Sequence, residues 1–257
     1  MTSLYVFWQN PQTRSWSPVG ILQRKAGGYE FTYTEGARRA DCFIPFGRLS
    51  DLNKRYRSSE LFPFFANRIL SPKRPEYQHL IHWIAAEQLA CDPLVVLSRT
   101  GGKRETDSLV LYSKPELNEQ NELDLLFLCD GIEDLPKAAS ARIAALDPDE
   151  PLFPMFDILN PYDPNALAIR TSDPRHLIGY VPRFFAKELK TCIQSARADK
   201  VRLRVARLNH EAPLQFRLLC RFTSPWPKNF RPWEEPEFQA LVGERAGREV
   251  LKARAAS

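Results

Sequence analysis

The sequence predicts an α+β fold. Short β-branched and aromatic runs recur between glycine and proline turn signals, and several longer segments carry apolar residues at helical spacing. Of 257 residues, 44% are apolar and 11% aromatic, enough to fill a core and too many for a disordered chain.

Residues 4–8, Leu-Tyr-Val-Phe-Trp, read as the first strand. Asn10-Pro11 and Trp16-Ser17-Pro18 break it, and residues 19–22 follow as a second. Gly27-Gly28 suits a hairpin turn, because glycine reaches positive φ without a Cβ clash. Residues 29–33 alternate aromatic and polar side chains, so the first 35 residues are expected to form a small β-meander. A helix is expected over residues 60–70, capped by Ser58 or Ser59, with Phe64, Phe65 and Ile69 inward. Pro75 suits the first turn of a second helix with Leu80, Ile81, Ile84 and Leu89 as its stripe, stopped by Asp92-Pro93. Residues 94–97 read as a strand, Gly101-Gly102 as a turn and residues 109–112 as the partner strand.

Polar, proline-bearing residues 114–122 are the expected linker between modules 1–113 and 123–235, with a tail at 236–257 whose Arg/Ala-rich end, 243–257, reads as helical or frayed. In the second module, residues 123–129, 152–158, 166–169, 178–181, 201–208 and 214–222 read as strands. Residues 138–146 and 184–198 read as helices, the latter with Phe185, Leu189, Cys192, Ile193 and Ala196 inward.

Composition excludes several classes. No run approaches the roughly 18 apolar residues that span a bilayer. The start, Met1-Thr-Ser-Leu-Tyr5, has neither a basic nor an apolar signal region. Five scattered cysteines (Cys42, Cys91, Cys129, Cys192, Cys220) suit reduced thiols, so a cytoplasmic location is expected. Charge is uneven: residues 1–110 carry +5, residues 111–150 carry −7 and residues 151–257 carry +7. A basic second half permits phosphate contact without requiring it.

Enzyme signatures fail in turn. His79 and His82 lie three apart on a helix, but no sequence neighbour completes a metal shell. Gly101-Gly-Lys-Arg104 lacks the spacing of a phosphate loop and is placed between strands. No catalytic residue, metal or cofactor is expected. A nuclease or hydrolase would need Glu133, Asp134, Asp157 and Asp163 to converge on a divalent metal.

The informative segment is Asn160-Pro-Tyr-Asp-Pro-Asn165, followed by an apolar strand. Its prolines force a tight turn, in which Asp163 and Asn165 either cap backbone donors or, with Tyr162, present a stacking ring and a hydroxyl acceptor. Ile178-Gly-Tyr-Val-Pro-Arg183 then opens a helix, with Arg183 at the positive end of its dipole, where an anion would ease the misfit.

Asn160-Pro-Tyr-Asp-Pro-Asn-Ala-Leu167 and Ile178–Arg183 together resemble the HIRAN domain. Leu208-Asn209, Ala212-Pro-Leu214, Arg217-Leu-Leu-Cys-Arg221 and Trp226-Pro227 are similar to its bacterial branch. The resemblance implies an SH3-like or OB-like β-barrel with an inserted helix over about residues 123–235. It also implies binding of DNA, notably single strands with free 3′ ends. By motif, Tyr162 would stack a base, Asp163 would meet the terminal hydroxyl, and Tyr180 and Arg183 would line the groove, with Asn160 and Asn165 in the turn. Eukaryotic members carry aromatics after the first strand's glycine, where this chain has the acidic Gly131-Ile-Glu-Asp-Leu135.

Val19-Gly-Ile-Leu22, Tyr29–Tyr33, Leu61-Phe-Pro-Phe-Phe-Ala-Asn-Arg68 and Arg99-Thr-Gly-Gly102 resemble the first subdomain of HipA-type Ser/Thr kinases, without the kinase core. That resemblance implies a non-catalytic antitoxin or regulatory partner docking on a HipA-like kinase, with Phe62, Phe64, Phe65 and Trp83 (and Tyr77) as anchors. The alternative is a DNA-binding module for single strands or 3′ ends in repair or processing, without a kinase partner, to which Arg202, Arg204 and Arg207 would add salt-dependent attraction.

Overall fold

The architecture is α+β. The computed structural model describes residues 3–89 and 92–242. Strands β1 (Ser3–Gln9), β2 (Trp16–Lys25) and β3 (Gly28–Tyr33) form the expected antiparallel meander. Pro18 lies opposite Phe7 where the β1–β2 register shifts, so its missing N–H falls at a bulge. Helix α1 (Glu35–Arg39), strand β4 (Tyr56–Ser58) and helix α2 (Pro63–Ala66) follow. The helix expected over residues 60–70 is thus a single turn. It ends where the Arg68 side chain turns inward, donating to the Gly102 carbonyl at 2.9 Å and to Asp107.

Helix α3 (Glu76–Trp83) is shorter than its predicted stripe, and Leu89 is exposed. The strand expected at residues 94–97 is instead part of helix α4 (Pro93–Thr100). The Asp92 side chain accepts from Leu94 N at 2.9 Å, Pro93 occupies the first turn, and Gly101 ends the helix in the left-handed region at φ 70°. Start and stop signals at both ends outweigh the β-propensity of Leu-Val-Val-Leu. Gly101-Gly102 therefore closes a helix and is no hairpin turn. Strand β5 (Leu109–Ser113) pairs with β1, completing a sheet ordered β4-β3-β2-β1-β5.

The remaining elements are β6 (Glu122–Leu128), α5 (Lys137–Ala144), β7 (Pro151–Phe156), β8 (Leu167–Arg170), β9 (Leu177–Tyr180), α6 (Arg183–Ser195), β10 (Arg202–Leu208) and β11 (Leu218–Pro225). The strands order as β6-β11-β10-β7-β8-β9. Asp130, just past β6, bridges Tyr180 at the end of β9 through two backbone hydrogen bonds of 3.0 and 2.8 Å. The first and last strands of this curled sheet thus meet at one point.

The chain divides into two compact units that are interleaved in sequence. Unit 1 takes residues 3–71, 92–114 and 233–242; unit 2 takes residues 72–89 and 115–232. The core of unit 1 is built from Leu4, Val6, Leu22, Phe31, Tyr33, Phe65, Leu97 and Leu111. Residues 233–242 complete it: Trp233 packs edge-on to Tyr5 and Phe7 and stacks on Phe238. In unit 2, Leu125, Phe127, Ile169, Ile178, Phe185, Leu189, Val205 and Phe222 are buried. Helix α3 joins unit 2 through Trp83, which stacks on Phe216 and whose carbonyl accepts from Asn209 at 3.0 Å.

Cys42, Cys129, Cys192 and Cys220 are free thiols; Cys91 and the expected tail at 243–257 lie outside the described residues. Among the described residues, no helix is long and apolar enough to cross a membrane.

Candidate nucleic-acid interface

The turn between β7 and β8 is organised by two carboxamide and carboxylate side chains. Asn160 Oδ1 accepts from the backbone N–H of Tyr162 and of Asp163, at 3.0 and 3.1 Å. Asp163 Oδ1 accepts from the N–H of Asn165 at 2.9 Å. These Asx turns satisfy donors that two prolines would otherwise leave without a ladder. Asp157 then braces the turn from below. Its Oδ2 accepts from Asn160 Nδ2 at 3.0 Å and from the Tyr180 hydroxyl at 3.1 Å. Burial and the Asp157 charge raise the Tyr180 phenol above its ordinary pKa, so it stays a donor.

Arg183 opens α6, where a cation opposes the helix dipole. The structure supplies the compensating anion from the chain itself: Arg183 Nε lies 3.6 Å from Asp163 Oδ2. Its Nη2 also donates to the Tyr162 carbonyl at 2.7 Å. All six residues predicted for the interface (Asn160, Tyr162, Asp163, Asn165, Tyr180 and Arg183) are therefore brought together. Within the group, the Tyr162 ring is 84% exposed while its backbone is held at both N–H and C=O. Gly179 permits a close approach, but to its own chain. At φ +134°, an added Cβ would lie 2.5 Å from Cys129 Sγ and 2.6 Å from the Asp130 carbonyl.

This arrangement can present a fixed aromatic face beside a carboxylate and a guanidinium. Residues 132–225 match the HIRAN domain. No curated protein matches the chain significantly. One solved structure, a Lactobacillus plantarum protein from a structural genomics consortium, is similar at 17% identity and a TM-score of 0.31, covering 40% of this chain and 96% of that one.

The HIRAN-matching segment holds the whole elbow, from Asp157 to Arg183. Asp157 is the member that the sequence does not assign to the turn; it enters there only with Glu133, Asp134 and Asp163 as the carboxylates a nuclease or hydrolase would need to converge. That cluster does not form: among the described residues, no three His, Cys, Asp or Glu side chains stand close enough to hold a metal ion. His79 lies against Trp83, and His82 Nδ1 is 2.9 Å from Glu87. Glu133 and Asp134 are exposed beyond buried Ile132, and Gly131 lies against the Tyr180 ring.

The basic strand divides. Arg202 and Arg204 are exposed, whereas Arg207 is turned to Glu87 at 2.6 Å and to the His82 carbonyl. The aromatic anchors expected to face a protein partner need correction. Phe62 and Phe65 are buried, Phe64 stacks on Phe46 at 4.4 Å, and Trp83 stacks on Phe216. Tyr77 is buried as well. Phe62, Phe65 and Tyr77 fill the fold's own interior and offer no free face of the kind an interface anchor needs, while Phe64 and Trp83 are half-buried with one face already stacked on another ring.

Proposed function

We propose that this protein is a non-catalytic nucleic-acid-binding protein whose HIRAN-matching segment, read as a small SH3-like or OB-like barrel, receives a single strand or strand end at the Asn160–Arg183 elbow. The observation that carries this reading is the Tyr162 ring, which stands in solvent on a backbone clamped by Asn160 and Arg183. A large aromatic left exposed on a rigid backbone loses little entropy on binding, and stacking on such a ring contributes about 1–3 kcal/mol per base. Asp163 keeps acceptor capacity beside the ring for a terminal hydroxyl, and Arg183 adds positive charge at the same mouth. The HIRAN match supports the class of ligand.

Fluorescence anisotropy with single-stranded DNA carrying a free or a phosphorylated 3′ end tests the reading. Tighter binding of the free end, reduced by Asp163→Asn, is the expected result. Negligible binding of both at low salt would overturn it. Docking of residues 1–113 on a HipA-like kinase, as an antitoxin would dock, rests on the sequence resemblance alone. Co-purification with such a kinase is its test.

A further inference from the structure

We infer that the nucleic-acid site continues from the elbow along one face of α6, with Phe156 as a second stacking ring and Lys190 as a phosphate contact. This rests on the elbow reading and lengthens its footprint to about four nucleotides or more, the lower end of the range of single-strand sites on small β-barrels.

The first observation is the exposed apolar surface. Phe156, Ile158, Leu159 and Tyr162 are 41%, 76%, 88% and 84% exposed. Four large apolar side chains exposed within seven positions are a local concentration, unlike singly scattered surface residues, of the kind that marks an interaction site. The second observation is the row of cations beside it. Lys190 Nζ sits 5.5 Å from the centroid of the Phe156 ring, and Arg183 grips the Tyr162 carbonyl at 2.7 Å. Arg183 and Lys190 are seven residues apart on α6, so they share a face about 10 Å apart along the axis. Lys187 falls between them on that face.

The third observation is the direction of the carboxylates. Asp157, within the apolar row, is turned to Tyr180 and Asn160, while Asp163 is turned to Arg183 and the N–H of Asn165. Lys190 has no carboxylate partner among the described residues. Apolar and aromatic groups therefore face outward beside positive charge. A ligand that complements both must carry planar apolar faces and regularly spaced negative charge. Single-stranded nucleic acid does so, with bases on Phe156 and Tyr162, Ile158 and Leu159 between them, and phosphates toward α6. An uncharged apolar protein surface would match the apolar row and leave the Lys190 ammonium unanswered.

The test uses the full chain and oligothymidylates of about three and about ten nucleotides, lengths bracketing one and several stacking positions. The wild-type chain should bind the longer strand more tightly. Phe156→Ala should weaken the longer strand about fivefold or more and leave the shorter unchanged. Lys190→Gln, a second variant that removes the charge while keeping most of the stem beside Phe156, should lower the salt dependence for the longer strand by about one phosphate contact. Equal affinities that neither variant moves, with the shorter strand still weakened by Tyr162→Ala, would overturn the extension and leave the elbow reading standing. Failure of the wild-type chain to bind either length would overturn both. Should Phe156→Ala instead abolish self-association in light scattering and leave binding unchanged, the patch pairs copies of the chain and the extension is wrong.

Discussion

Tyr162 is fixed through its backbone, and its ring touches little of the protein. Replacing it should therefore separate binding from stability. Tyr162→Ala is expected to leave the urea midpoint unchanged, since exposed substitutions fall within about 0.5 kcal/mol. Asp157 is the reverse case. It accepts from Asn160 and Tyr180, so Asp157→Ala leaves two donors without a partner. We expect a loss of about 1–3 kcal/mol in urea denaturation, with weaker binding following from a loosened turn. Sequence reasoning found the turn because prolines and Asx residues act locally. Asp157 was missed as its brace, because nothing local pairs it with a tyrosine 23 positions away.

Cys192 supplies a pH test in the same segment. Burial, with the Glu188 carboxylate nearby, pushes its thiol from 9.0 to about 12. The folded value exceeds the unfolded one, so its contribution is complete below pH 9.0 and fades as pH rises toward about 12. Urea midpoints should fall across that window, and Cys192→Ala should make the fall shallower.

At the scale of elements, strands were legible wherever alternation met a turn signal, as in β1 to β3 and β8 to β11. Helix α4 was not, because Val and Leu runs look alike in buried helices and strands. The deciding signals are Asp92, Pro93 and Gly101, and Asp92-Pro93 serves in sequence equally as a stop for the preceding helix. The aromatic run at residues 62–65 shows a similar limit: composition does not tell a core ring from an interface ring, and Phe62 and Phe65 are buried. The point where β6 and β9 meet gives the sharpest element-level prediction. Gly179→Ala would drive a methyl group to 2.5 Å from Cys129 Sγ at a φ of +134°. The Asp130–Tyr180 bridge should open at a cost of about 3 kcal/mol or more, visible as lost hydrogen-exchange protection at Tyr180.

At the scale of the whole molecule, the chain passes between its units four times, so neither unit is a continuous segment. Unit 1 is completed only by residues 233–242, on the far side of the HIRAN-matching segment. Trp233→Ala, removing a buried ring from Tyr5, Phe7 and Phe238, should cost about 3–5 kcal/mol and expose β1 amides to exchange. This interleaving was invisible in the sequence, because residues 72–89 and 233–242 carry no local mark of the unit they complete.

The measurement that bears most directly on the account is an equilibrium titration of labelled single-stranded DNA with the wild-type chain and with Tyr162→Ala. Salt-sensitive binding by the wild type is expected, weakened at least about fivefold by the substitution at an unchanged urea midpoint. Equal affinity for the two proteins, or none for either at low salt, would contradict it.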